Sequence, residues 1–128
     1  MQGLHLTADL HDCQGAPHWL TDAAALGALC VRTVEEAGLQ AVGSLVHAFA
    51  AGPDGPGGVT ATVLLAESHL CVHTWPERGG VTLDVYVCNF SADHSDKARA
   101  VMTALEAVFR PGCVQRHALE RGQREAMA

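Results

Sequence analysis

The chain has 128 residues, of which 48% are hydrophobic and 17% are charged. This length and composition predict one globular domain, because a single core supports roughly 100 to 200 residues and the apolar content is too high for a disordered chain. Eight Lys and Arg against fourteen Asp and Glu give a formal charge of -6. The basic residues are scattered, which argues against binding to nucleic acid or to an anionic membrane.

The N-terminal segment does not have the pattern of a secretion signal, because His5, Asp9, His11 and Asp12 interrupt its apolar residues. No segment approaches the roughly 20 apolar residues of a membrane-spanning helix. We therefore expect a cytoplasmic protein. The five cysteines are odd in number and include no Cys-x-x-Cys pair, which speaks against a disulfide framework or a zinc knuckle and predicts mostly buried, reduced thiols.

The first elements along the chain are a predicted strand and a predicted helix. Residues 4–13 alternate between apolar and polar side chains, as expected for a half-buried strand. Its apolar face consists of Leu4, Leu6, Ala8 and Leu10. A helix should cover about residues 23–37, with Thr21 or Asp22 as its cap and Gly38 at its end.

Four further strands are predicted in the middle of the chain. Residues 41–49 and 59–66 form the first two, and a glycine- and proline-rich turn over residues 50–58 joins them. The second is rich in Val and Leu, which predicts a central position in a sheet. Residues 70–75 and 81–89 form the other two, around a hairpin with glycine at its tip.

The last part of the chain predicts a helix and a strand. Residues between Ser91 and Ser95 should cap a helix that runs to about Phe109, followed by a strand over residues 113–120 and a frayed tail over residues 121–128. Runs of strands, each closed by a helix, predict an α+β fold. We expect a two-layer α/β sandwich with an antiparallel sheet and two helices on one face.

Two short stretches carry the side chains best suited to chemistry. Glu67-Ser68-His69 ends an apolar run and is followed by His73-Thr74-Trp75-Pro76-Glu77, and Asp84-Val85-Tyr86-Val87-Cys88 comes soon after. A serine hydroxyl is a weak nucleophile until a neighbouring group activates it, and it can then attack the carbonyl that precedes it. Taken singly, each of these side chains is more often structural.

Together, the two stretches resemble the self-processing site of the small prokaryotic S-adenosylmethionine decarboxylases, and the similarity extends from Leu4 to Gly122. It implies one domain, residues 1–128. The resemblance implies autocatalytic cleavage between Glu67 and Ser68. The products would be a β chain of residues 1–67 and an α chain of residues 68–128. Ser68 would become a covalent pyruvoyl group, which acts as an electron sink in place of pyridoxal phosphate.

The resemblance also implies roles for individual residues. Three residues would be catalytic. Ser68 would be the source of the pyruvoyl group, and His73 would transfer a proton during processing. Cys88 would donate a proton after carbon dioxide leaves. Thr60 stands where the family usually has a serine that supports processing. Two aromatic residues would contact adenine and the sulfonium, and an acid would bind the ribose. These three are Phe49, Trp75 and Glu77.

Two features depart from the family pattern. Asn89 follows the cysteine where many relatives have glycine, and residues 89–98 replace the usual Asp-x-x-x-Pro-x-Lys-Ala. The loop after Phe49 is longer than in those relatives. The departures alter the expected wall of the substrate site and leave Cys88 in place.

We therefore predict a pyruvoyl-dependent enzyme that decarboxylates S-adenosylmethionine to the aminopropyl donor for spermidine. It should act as a homodimer of cleaved protomers, without a metal. Decarboxylation of arginine or ornithine with the same pyruvoyl group is an alternative. A second alternative is a non-catalytic metal-binding module, although its His and Cys spacing matches no recognised four-ligand pattern. The module would draw on His11, Cys13, His69, Cys71 and His73.

Overall fold

The computed structural model describes residues 2–90 and 92–123, which form a six-stranded antiparallel sheet with three helices on one face. The strands are β1 (Gly3–His11), β2 (Ala41–Ala48), β3 (Val59–Leu65), β4 (Ser68–Trp75), β5 (Gly80–Cys88) and β6 (Cys113–Arg121). The helices are α1 (His18–Thr21), α2 (Ala23–Glu36) and α3 (Ser95–Phe109). One turn of 3-10 helix, Pro76–Arg78, lies between β4 and β5.

The strand order is β2-β3-β4-β5-β1-β6, so β2 and β6 are the edges of the sheet. Strands β2 to β5 form an antiparallel meander, and β1 lies between β5 and β6. The predicted α+β sandwich with an antiparallel sheet is confirmed. The central position of β3 is confirmed as well, because β3 pairs with β2 on one side and β4 on the other.

The hydrophobic core lies between the sheet and the helices. Alternate residues of β1, β3, β4 and β5 are buried, including the four predicted positions of β1. Helix α2 packs against β2 and β3, and α3 packs against β1 and β5. Each helix buries apolar side chains three or four residues apart, as an amphipathic helix does. These are Leu26, Leu29, Cys30 and Val34 of α2, and Ala98, Val101, Met102, Leu105 and Phe109 of α3.

Helix α1 was not predicted, because four residues are too few to show a helical period. It is held to the sheet by the Thr74 hydroxyl, which donates to the Leu20 carbonyl at 2.7 Å. Helix α2 begins after Asp22, whose carboxylate accepts from the Ala25 N–H at 3.0 Å. Of the two predicted caps, Asp22 is therefore the one used.

The remaining boundaries differ by a few residues from the predictions. β4 begins at Ser68, two residues early, because its pairing with β3 continues to the hairpin. Helix α3 begins at Ser95 and has His94 as its N-cap, without a side-chain cap. The predicted cap residue Ser91 lies outside the described residues. Arg121 belongs to β6 rather than to a frayed tail, and residues 124–128 also lie outside the described ranges.

The cysteines are less buried than expected. All five are free thiols, and only Cys30 is buried, so the prediction of mostly buried thiols is wrong. Burial raises the pKa of the Cys30 thiol to about 12, which makes it inert near neutral pH. Among the described residues, no helix has the length and apolar character needed to cross a membrane.

Candidate active site

The face of the sheet opposite the helices, which we call the open face, carries most of the candidate reactive side chains of β4 and β5. On β4, His69, Cys71, His73 and Trp75 alternate with the buried residues and point to this face. Because the strands pair in register, residues from neighbouring strands form rows across the open face. One row joins Thr60 of β3, His73 of β4 and Thr82 of β5.

Glu67 and Ser68 lie at the hairpin between β3 and β4. Leu65 pairs with Ser68, so Ala66 and Glu67 alone form the loop. Glu67 has a φ of 60°, in the left-handed region that costs a non-glycine residue about 1–2 kcal/mol. The scissile bond predicted from the sequence therefore follows a strained residue.

Cys88 lies beside this hairpin, at the end of β5. Its backbone N–H donates to Ser68 Oγ at 3.0 Å, and both residues are half-buried. The cavity next to them has a volume of about 400 Å³ and is lined by Glu67, Tyr86, Cys88 and Phe90. We call this region, defined by Glu67, Ser68 and Cys88, the hairpin end of β4.

A second cavity, of about 390 Å³, lies at the other end of β4. It is lined by Phe49, Gly58, Thr60, His73, Thr74, Trp75 and Glu77, a set that includes all three predicted substrate-binding residues. Thr60 pairs with His73 across β3 and β4, and Thr60 Oγ1 lies 3.0 Å from His73 Nδ1, at hydrogen-bond distance. We call this region, defined by Phe49, Thr60, His73, Trp75 and Glu77, the cavity end of β4.

Backbone features of the flanking loops shape the cavity end. The Phe49 N–H donates to the Gly58 carbonyl at 2.9 Å, which closes the loop between β2 and β3. Gly58 lies against the Thr74 carbonyl with no room for a Cβ. The 3-10 turn that carries Glu77 ends at Gly79, whose φ of 58° suits glycine.

The two ends of β4 are too far apart to act on one group within a protomer. Ser68 and His73 are five residues apart on β4, and a rise of about 3.3 Å per residue separates them by about 16 Å. Cys88 lies six residues along β5 from Thr82, the partner of His73, or about 20 Å away. The structure brings Ser68 and Cys88 together, and it brings the cavity-end residues together, but not one set with the other.

The side chains of the proposed metal-binding module do not converge. His69, Cys71 and His73 occupy successive alternate positions of β4, about 7 Å apart along the strand. Within residues 2–90 and 92–123, three potential ligand atoms do lie within 4.8 Å of one another, but they belong to a different set of side chains. These are His5, His69 and Asp84. The metal-binding alternative therefore loses its structural basis.

Sequence reasoning missed most of this cluster on the open face. His5 Nε2 and His69 Nε2 each lie 2.9 Å from Asp84 Oδ2, and Arg121 Nη1 lies 3.2 Å from His5 Nδ1. The alternation of each strand predicts the face on which these residues lie. Their contact depends on the order of β4, β5, β1 and β6 in the sheet, which the alternation does not reveal.

Comparisons with known proteins agree with the fold and with the motifs. The sequence model of the S-adenosylmethionine decarboxylase family matches residues 4–122. The chain is 37% identical over 128 residues to the S-adenosylmethionine decarboxylase proenzyme of Parasynechococcus marenigrum, covering 100% of this chain and 89% of the relative. For the proenzyme of Archaeoglobus fulgidus the identity is 34% over 120 residues, with coverage of 94% and 97%.

A solved structure has the same architecture. The crystal structure of the adenosylmethionine decarboxylase from Aquifex aeolicus superimposes with a TM-score of 0.82 at 32% sequence identity, covering 98% of this chain and 95% of that one. The α+β sandwich with its hairpin serine is thus the architecture of a known class of decarboxylase. The chain belongs to the S-adenosylmethionine decarboxylase family.

Proposed function

We propose that the chain is a proenzyme that cleaves itself between Glu67 and Ser68 and then decarboxylates S-adenosylmethionine, supplying the aminopropyl donor for spermidine. Membership of the family across residues 4–122 carries this proposal. The strained hairpin at Glu67 supports the cleavage position. The products would be residues 1–67 and residues 68–128.

The residues at the hairpin fit a pyruvoyl group derived from Ser68. The serine directly follows a residue in the left-handed region, and its hydroxyl is held by the Cys88 N–H at 3.0 Å, so the nucleophile and the amide it attacks adjoin in a fixed loop. Once formed, the group would supply the electron sink for the loss of carbon dioxide. Cys88 would supply the proton that replaces the carboxylate.

The cavity end would provide proton transfer and substrate binding. With Nδ1–H donated to Thr60 Oγ1, the Nε2 lone pair of His73 is free to accept a proton during processing. Phe49 and Trp75 would contact adenine and the sulfonium, and Glu77 would bind the ribose hydroxyls. Two aromatic side chains and a carboxylate in one cavity match adenine, a sulfonium and ribose hydroxyls together, whereas arginine and ornithine have neither a base to stack nor a ribose to bind.

The active protein would be a homodimer, because the groups needed for one reaction lie at opposite ends of β4 in a single protomer. Consider a two-fold axis that lies parallel to the sheet and perpendicular to β4. The open faces of the two protomers then face each other, and their β4 strands run in opposite directions. The hairpin end of each protomer then faces the cavity end of the other. The symmetry yields two identical composite sites.

Exposed apolar side chains on the open face support this arrangement. The exposed fractions of Leu45, Leu64, Trp75 and Leu119 range from 40% to 77%, and the register assigns all four to the open face. Apolar groups concentrated on one face of a protein mark an interaction surface. A second copy of the chain would cover them. The cytoplasmic location and the absence of a nucleic-acid partner remain predictions.

Intact-mass spectrometry of the purified protein tests the processing step, and release of labelled carbon dioxide tests the substrate. We expect two fragments split between Glu67 and Ser68, the second beginning with pyruvoyl, and release from S-adenosylmethionine far above that from arginine or ornithine. Release from arginine or ornithine alone would refute the substrate and leave the pyruvoyl chemistry standing. A single uncut chain that retains activity would refute the cofactor.

Complementation between inactive variants tests the composite site. Ser68→Ala and His73→Ala chains, carrying tags of different mass, should each remain uncut when expressed alone. When they are co-expressed, the His73→Ala chain should be cut, because its Ser68 meets the intact His73 of the partner. Co-expression of Ser68→Ala/His73→Ala with His73→Ala is the matched control and should give no cutting. Failure of the first mixture to cut, in dimers shown to contain both chains, would refute the composite site.

A further inference from the structure

Five side chains from four neighbouring strands form a cluster on the open face, next to the hairpin end. Asp84 of β5 lies at its centre, with His69 of β4 and His5 of β1 each 2.9 Å from its Oδ2. Arg121 of β6 lies 3.2 Å from His5 Nδ1, and its guanidinium is 5.1 Å from the centre of the Tyr86 ring. The cluster therefore links the start of β4, next to the cleavage position, to the edge strand β6.

The hydrogen bonds of the cluster place a proton on Nε2 of both imidazoles. Arg121 can only donate, so His5 Nδ1 accepts and the proton of His5 lies on Nε2. An ionised carboxylate can only accept, so His5 Nε2 and His69 Nε2 both donate to Asp84 Oδ2. Each contact has a donor and an acceptor, and no additional group is needed to satisfy it.

This tautomer argues against a metal ion, although two histidines and a carboxylate are a common ligand set. A metal bound by His5 Nε2 would displace the proton to Nδ1. Nδ1–H would then face the donor Nη1 of Arg121 at 3.2 Å. The geometry favours a cluster held by hydrogen bonds over a metal site. We call the hydrogen-bonded pair His69 and Asp84 the clamp.

We propose that Asp84 is a positioning residue that acts through His69 to hold residue 68 after the chain is cut. The inference rests on the cleavage proposed above. Before cleavage, residue 68 is held by peptide bonds on both sides and by the contact of its hydroxyl with the Cys88 N–H. Cleavage removes the bond to residue 67 and converts the hydroxyl, so the only remaining covalent link runs to His69. The hydrogen bond between the side chains of His69 and Asp84 then anchors the new chain end.

Variants of both partners separate this role from general stability. Asp84→Ala removes both hydrogen bonds, whereas Asp84→Asn keeps a carbonyl oxygen that can accept from both imidazoles. His69→Gln keeps an N–H donor at the position of Nε2, and His69→Ala removes it. Asp9→Ala is the matched control, because Asp9 is a half-buried carboxylate on the open face of the neighbouring strand β1.

Hydrogen exchange of the backbone amides of β4 gives a readout that does not depend on activity. In the cleaved protein, Asp84→Ala should speed exchange at the start of β4 about tenfold, because the hydrogen bond that holds this end of the strand is lost. In the uncleaved His73→Ala background, which keeps the Ser68 hydroxyl, the same change should alter exchange by less than about twofold. The contrast between cut and uncut chains is the signature of the clamp.

Steady-state kinetics give the second readout. Asp84→Ala and His69→Ala should each lower kcat about tenfold and leave KM within about twofold of the wild-type value. The double variant should have the same kcat as either single variant, because all three lack the hydrogen bond between His69 and Asp84. Asp84→Asn, His69→Gln and Asp9→Ala should stay near the wild type.

Equal exchange and equal kcat in Asp84→Ala and the wild type would overturn the clamp. One zinc ion per chain in the purified wild type, lost in Asp84→Ala, would also overturn it in favour of a metal site. A cleaved wild type that releases no carbon dioxide from S-adenosylmethionine would count against the proposed function alone. The exchange experiment would still test the clamp in that case.

Discussion

The two ends of β4 are built in different ways, although they lie on the same strand. The hairpin end consists of consecutive residues, Glu67 and Ser68, with one contact from β5. The cavity end gathers side chains from the end of β2, from β3, from β4 and from the 3-10 turn. Attack of Ser68 on the preceding carbonyl requires local backbone geometry, which neighbouring residues can provide, although the later proton transfer would need His73. Recognition of a nucleoside requires converging side chains, which only the assembled sheet can provide.

This difference means that the two ends can be altered separately. A change at the hairpin end should affect cleavage or proton donation, and a change at the cavity end should affect substrate binding or the rate of processing. The interior of β4 between them, with buried Leu70, Val72 and Thr74, belongs to the core. Substitutions at either end should therefore leave the fold intact, which makes the following variants interpretable.

The largest effect is expected for Ser68→Ala. Without a hydroxyl to attack the Glu67 carbonyl, the protein should remain a single chain of 128 residues with no decarboxylase activity. Intact-mass spectrometry and a carbon dioxide assay check this outcome. Ser44→Ala, an exposed serine on β2, should be cut as the wild type is. A cut at the same bond in Ser68→Ala would refute attack by the serine.

Cys88→Ala should separate the two reactions of the hairpin end. Cleavage should proceed, since the Cys88 N–H that holds Ser68 Oγ belongs to the backbone. Turnover should fall about 100-fold, the range in which a positioned proton donor contributes, and wrongly protonated product should inactivate the enzyme. Cys71→Ala, a half-buried thiol on β4, is the control and should turn over within about twofold of the wild type. Normal turnover in Cys88→Ala would make Cys88 a structural residue.

Trp75→Ala should damage the cavity end without affecting the hairpin. Loss of contacts with the substrate should lower S-adenosylmethionine turnover by one to two orders of magnitude, at about 1.4 kcal/mol per tenfold. Cleavage at Ser68 should continue, which the mass of the fragments shows. If turnover is unchanged, the side chain, which is 40% exposed, does not contact the substrate in the composite site.

Much of the fold could be predicted from the sequence because its signals are local. The alternation of Leu4, Leu6, Ala8 and Leu10 has the period of a strand, and it marks the buried face that the structure shows. The order of the strands was not predicted, because pairing between distant segments such as β1 and β5 leaves no period in either one. Helix α1 was missed since its four residues make barely one turn, too few for apolar positions to recur with the helical period.

The sequence names candidate residues for the site, but it does not give their arrangement. The motif resemblance named Ser68 and His73 as partners, but it did not show that an extended β4 keeps them about 16 Å apart. The cluster around Asp84 was missed for a similar reason. His5, Asp84 and Arg121 are far apart in the chain, and only the strand order brings them together.

The contact between Thr60 and His73 gives the smallest effect and the most specific test of the cavity end. The Thr60 hydroxyl lies 3.0 Å from His73 Nδ1 and would hold the ring with Nε2 free to accept a proton. Thr60→Val keeps the shape of the side chain and removes the hydroxyl, so cleavage should slow by about three- to tenfold, the worth of one neutral hydrogen bond. Thr60→Ser keeps the hydroxyl and should be cut at nearly the wild-type rate.

Thr62→Val is the matched control, since the Thr62 hydroxyl that it removes contacts Cys71 Sγ at 3.6 Å and not His73. The time course of fragment formation by mass spectrometry measures all three, and equal rates for Thr60→Val and Thr62→Val would show that His73 needs no support from Thr60.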